Sequence, residues 1–168
     1  MRKPARKNIP FKQYLFPLFC LLVGALTGII QAKTMEPERF QAIGDALIQS
    51  IRNPKDLSGL FVGNVLKNGG YMLAIWFTAF IPLGYLAAGF ILFIRAMGYG
   101  FAATALISIS IKTSFSYTAG LALQGLILLA AAYLLCVWGF YYQSKHQLPA
   151  YFIILLIAES SVILAAMV

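Results

Sequence analysis

Charge is what this 168-residue sequence has least of. Only 11% of its residues are charged, and five are acidic: Glu36, Glu38, Asp45, Asp56 and Glu159. A soluble domain is about a quarter charged and about 45–50% apolar, whereas 61% of this chain is hydrophobic. Five acids cannot coat a water-facing surface, and this much apolar side chain cannot fit in one core. The surrounding medium is expected to be lipid. His146 is the only histidine, which excludes histidine-based catalysis and multi-histidine metal sites. Cys20 and Cys136 both lie in apolar runs, so neither a disulfide framework nor a Cys/His metal cluster is expected. The patterns GxxxxGK(S/T), HExxH, GxSxG and CxxC are absent. Residues outside the apolar runs are too few for an ATPase or hydrolase domain. Neither enzymatic activity nor a cofactor is expected.

The thirteen Lys and Arg residues give a net charge of +8, a balance that can signal nucleic acid. Their placement argues otherwise. Arg2, Lys3, Arg6, Lys7 and Lys12 all precede the first apolar run, where a membrane protein carries its orienting charge. The expected partner is the lipid bilayer, not nucleic acid.

Five apolar runs follow, at 14–30, 71–94, 97–111, 117–142 and 149–168. The first is 17 residues without charge, at the short end of what crosses about 30 Å of hydrocarbon. A cleaved signal peptide would need Ile30 and Ala32 to form the cleavage site, a poor match, so an uncleaved span is expected. Pro82 and Gly84 interrupt the second run and are read as a bend in one helix, with Arg95 as its end. The third run is short, and Arg95 and Lys112 would have to snorkel outward from it. Five spans in an all-α polytopic bundle are expected, with four spans and a re-entrant piece over 97–116 as the alternative. The dense basic start at residues 1–13 is expected to hold the N-terminus in the cytoplasm and leave the C-terminus on the outer side of the membrane.

The 40-residue segment 31–70 then lies outside the cell. Phe40, Ile43, Leu47 and Ile51 recur at three and four residues, an apolar helical stripe that starts near Pro37 and stops at Asn53-Pro54. A second short helix would carry Leu57, Leu60, Phe61 and Val65, with Gly69-Gly70 ending it. Two readings stand open: the helices lie on the bilayer surface, or the stripe docks a partner.

Glu159 is the one acid well inside an apolar run, and an intramembrane acid is a functional hypothesis by default. It is a relay, a neutral acid bonded to another helix, or part of an interfacial segment. Thr104, Ser108, Gln124, Tyr133 and Ser160 are the available partners. No second acid or histidine lies in a span, so a structural role is expected over transport. Gly24-Ala25-Leu26-Thr27-Gly28 is a GxxxG pattern that lets helix backbones approach closely, within one chain or between copies in a homo-oligomer.

This arrangement resembles the stage II sporulation protein M family over most of the chain. The likeness rests on the basic N-terminus, the first run with Gly24 and Gly28, and the stretch Phe61-Val62-Gly63-Asn64-Val65-Leu66-Lys67-Asn68 leading to Ile75-Trp76. Its most specific piece is Phe93-Ile94-Arg95-Ala96-Met97-Gly98-Tyr99-Gly100-Phe101. Where the family commonly has a Leu-Pro-Gln-Asn-like element, this chain has Leu123-Gln124-Gly125 without the proline, and the chain, stopping within or just after its last run, is short for the family. The resemblance implies a non-enzymatic scaffold that anchors extracytoplasmic wall hydrolases, the peptidoglycan-remodelling enzymes of forespore engulfment during sporulation. The competing function is a small transporter or permease subunit using Glu159.

Overall fold

The computed structural model describes residues 11–52, 57–81, 83–110, 115–143 and 148–166. Among these, every regular element is an α-helix: α1 (Phe11–Thr34), α2 (Pro37–Arg52), α3 (Leu57–Thr78), α4 (Gly84–Ser110), α5 (Phe115–Gln143) and α6 (Leu148–Ala166). Three helical stretches are long and apolar enough to cross a membrane: Leu15–Thr34, Gly84–Ser108 and Ala122–Gly139. In α6, Tyr151–Ala165 is apolar but shorter. Asn64, Lys67 and Asn68 interrupt the apolar character of α3, which is not among the three.

Thirty large hydrophobic side chains are exposed among the described residues. Phe19, Leu22, Leu26 and Ile30 form one such face on α1, and Phe152, Leu156 and Ile163 belong to another on α6. Apolar surface on this scale is compatible with lipid as the solvent and far beyond a soluble monomer's patches.

Helices α1 and α4 run parallel along a glycine seam. Gly89 faces Phe16 and Cys20, Gly24 faces Phe93, and Gly28 faces Met97, each step about one helical turn further on. A Cβ on Gly24 or Gly28 would run into the Phe93 or Met97 carbonyl oxygen, so a side chain at either position would push the helices apart. Gly100 repeats the fit from the other side, against the Ala25 backbone.

The helix boundaries around Arg95 depart from the expected ones. Residues 71–94 are not one bent helix. α3 ends at Thr78, a tight turn follows, and α4 runs unbroken from Gly84 to Ser110 with Arg95 inside it. The turn is closed by short-range bonds, Ile81 N–H to Thr78 O at 3.2 Å and Gly84 N–H to Ile81 O at 2.9 Å. Leu83 takes the left-handed conformation, φ 61°, and a Cβ on Gly84 would collide with the Thr78 carbonyl oxygen. Pro82 itself lies outside the described residues, as do Asn53, Pro54, Asp56 and Lys112. Likewise Gly69-Gly70 does not end a helix; α3 continues through it from Leu57.

The turn folds α3 antiparallel to α4. Glu159 lies against Gly69 and Tyr151 against Trp76, so α6 is antiparallel to α3. Gly139 packs on Tyr151, while Ala131 and Leu135 border a small cavity with Ile154 and Ala158, so α5 is antiparallel to α6. The core between α3, α4, α5 and α6 is rich in small residues: Ala79, Ala88, Ala131, Ala132, Ala158 and Ala165 pack with Leu92, Leu135 and Val162. Small side chains suit helices that gain their contact by backbone proximity. At the end holding the α3–α4 turn, Tyr151 stacks on Trp76 at 5.4 Å and its hydroxyl donates to the Trp76 carbonyl at 3.0 Å. That carbonyl is in the last turn of α3, where full intrahelical pairing is lost. The opposite end carries the C-terminus of α1, the start of α3 and helix α2.

Candidate functional site

Three polar side chains meet inside the bundle at one level. Asn68, Arg95 and Glu159 each lie eleven residues from the first residue of α3, α4 and α6, about 16 Å along each axis. The Arg95 guanidinium donates through Nη2 to Asn68 Oδ1. It lies 4.0 Å from the centroid of the Tyr71 ring and 5.5 Å from that of Tyr99, so aromatic faces replace part of its hydration. Asn68 is buried.

Glu159 approaches the same turn of α3 from its other flank. A Cβ on Gly69 would lie 2.8 Å from Glu159 Oε2, so the glycine leaves room for the carboxylate. Glu159 Oε1 is shielded from solvent and accepts no hydrogen bond. Among the described residues no ion pair joins Glu159 to Arg95; the one ion pair there, Arg39 Nε of α2 to Oε2 of Glu36 just before it at 3.1 Å, is exposed.

The partners expected for Glu159 are elsewhere. Thr104 donates to the Gly100 carbonyl of its own helix at 2.8 Å, nine residues beyond Arg95. Ser160 bonds back to Leu156 O at 2.8 Å. Ser108 is exposed further along α4, and Gln124 is half-buried on α5 beside Gly125, which packs on Tyr99. Tyr133 borders an apolar groove of about 530 Å³ between α1, α4 and α5, with Ala25, Gly100, Ala103 and Leu126 among its other walls.

The apolar stripe on α2 divides. Phe40 meets Phe101 of α4 edge-on, with ring centroids 6.3 Å apart, and is half-buried. It holds α2 against the bundle. Ile43 is exposed, and the side chains of Leu47 and Ile51 lie outside the described ones. Six of the seven residues from Phe61 to Lys67 on α3 are exposed, including Phe61, Val62 and Leu66.

The sequence points to none of Asn68, Gly69, Tyr71 and Arg95 as a site residue: Gly69 reads as a helix end, Arg95 as a run boundary, and Asn68 and Arg95 otherwise only belong to the stretches that carry the family resemblance. The usable signal was the Leu83-Gly84 pair. Read as a turn, it makes 84–110 one 27-residue helix with an arginine in its interior. Comparison with protein-family models, curated proteins and solved structures finds no match. The fold therefore defines the class by itself: an all-α bundle with three helices fit to cross a membrane.

Proposed function

We propose that this chain is a non-enzymatic integral membrane protein that holds extracytoplasmic peptidoglycan-remodelling enzymes at its outer end. In this reading α1, α3, α4, α5 and α6 cross a bacterial cell membrane, with the N-terminus in the cytoplasm and the C-terminus outside. The alternating directions of these helices fit that path, with α2 joining two of them at the outer end. One observation carries the proposal: at that end, beside α2, the start of α3 leaves Phe61 and Val62 exposed. A continuous helix holds this surface, so its position follows from the bundle that anchors Asn68 to Thr78. The resemblance to the stage II sporulation protein M family supplies the partner class and the process, engulfment in a spore-forming cell.

The test is co-purification of hydrolase activity. Membranes are cross-linked, the tagged full chain is isolated, and the product is assayed on a peptidoglycan zymogram. Lytic bands are expected with the native chain and are lost with Phe61→Asp/Val62→Asp. Bands unchanged by that pair refute the docking role.

A second reading, a small transporter or permease subunit, draws on Glu159 lying inside the bundle near Asn68. Loss of proton-coupled flux in Glu159→Gln, with hydrolase bands retained, favours that reading.

A further inference from the structure

We propose that Arg95, Asn68 and Glu159 form a charge-compensated latch across α4, α3 and α6, in which each charge is tolerated inside the bundle because of the other. An arginine side chain carries five N–H donors and stays charged in proteins. The partners gathered around Arg95 are neutral: the Asn68 amide oxygen and the rings of Tyr71 and Tyr99. None of them balances its charge. Glu159 is the only acid in α3, α4, α5 and α6. Lys67, the other cation among the described residues of these helices, is exposed.

Adjacent residues of one helical turn connect the two charges. Asn68 meets Arg95 on one flank of α3, and Gly69 receives Glu159 on another. Arginine can only donate, so the amide oxygen must face it, and the amide's two N–H donors are directed elsewhere. The open acceptor nearby is Glu159 Oε1, shielded and without a partner. An amide whose oxygen faces a cation turns its positive N–H end to the opposite side, where a neighbouring anion is favoured. In a medium of low dielectric, such a chain couples charges too far apart to form an ion pair. Removing one charge from a buried set strands the other, whereas removing both does not.

The two single substitutions are not equivalent. Glu159→Gln strands an arginine, which cannot shed its proton. Arg95→Met strands a carboxylate, which can take one up and become neutral. Thermal aggregation of the detergent-solubilised full chain tests this with four variants. Glu159→Gln lowers the midpoint by roughly 6–20 °C. Arg95→Met lowers it less, and Arg95→Met/Glu159→Gln recovers most of the Glu159→Gln loss. Asn68→Asp/Glu159→Gln recovers as well, because the new carboxylate faces Arg95 directly. If Glu159→Gln fails to accumulate, accumulation of the Asn68→Asp/Glu159→Gln chain supports the latch and its absence overturns it. Additive losses in the Arg95/Glu159 double variant, or an unchanged midpoint for Glu159→Gln, also overturn it.

Discussion

Replacing Gly28 with alanine adds one methyl group where the backbones of α1 and α4 touch. The new Cβ runs into the Met97 carbonyl oxygen and lies 2.8 Å from the Phe101 nitrogen and 2.9 Å from the Met97 carbonyl carbon. All three are backbone atoms, so no side chain can swing aside. Ordinary van der Waals contact of a Cβ begins near 3.4 Å. Relief against Phe101 alone therefore parts the helices by about 0.6 Å, a gap that forfeits a quarter to a half of the local dispersion attraction. Overpacking costs about 1–3 kcal/mol, and the rigid neighbours put this site at the upper end. Exchanging glycine for alanine in a helix returns about 0.8–1 kcal/mol. The net loss is about 2 kcal/mol, a fall of about 4–8 °C in the thermal midpoint of a chain this size. Gly98 on α4 is the control, because nothing lies within 4 Å of a Cβ built there. Gly98→Ala keeps only the propensity gain and rises by about 2–4 °C. Thermal aggregation of the detergent-solubilised chain reads both. A rise for Gly28→Ala, or the same shift in both variants, refutes the seam.

Phe40→Ala removes the edge-on contact with Phe101 and frees α2 from the bundle; trypsin then cuts faster at Arg39 while the thermal midpoint stays within about 3 °C. A midpoint that falls much further would mean that α2 is integral to the core. Leu83→Gly relieves a left-handed residue that costs about 1–2 kcal/mol, offset by about 0.5–1 kcal/mol of glycine entropy. The midpoint is expected to rise by about 2–4 °C, and a fall would contradict the strain. With Cys20 and Cys136 replaced by alanine, Asp45→Cys is expected to react with an impermeant maleimide in intact cells. Reaction only after lysis would place α2 in the cytoplasm and remove the wall-side docking role.

Much of this architecture was readable because its signals are local. Hydropathy marks α1 and α5, since every residue of a lipid-facing helix must satisfy the same medium. Pro37 at the first position of α2 and the three-and-four spacing from Phe40 to Ile51 mark a short amphipathic helix, which forms over Pro37–Arg52. The errors at Arg95 and Gly69-Gly70 share one cause. A break in apolar character was read as a break in structure. Arg95 interrupts a run yet lies inside α4, and Gly69-Gly70 punctuates a run yet lies inside α3.

The sequence by itself determined that the chain is helical and apolar enough for lipid, that α2 is amphipathic, and that Gly24 and Gly28 form a face for close packing. These follow from side-chain size and periodicity within a few residues. Only the tertiary structure decided that this face meets α4 of the same chain, and that Phe40 turns inward. It also decided that Arg95 is held by Asn68, Tyr71 and Tyr99, with Glu159 at the neighbouring Gly69. Whether a charge inside a membrane bundle marks a helix end or an interior contact depends on what faces it across the bundle. For Arg95 the hydrogen-bonding partner is 27 residues away in sequence, beyond the reach of any local pattern.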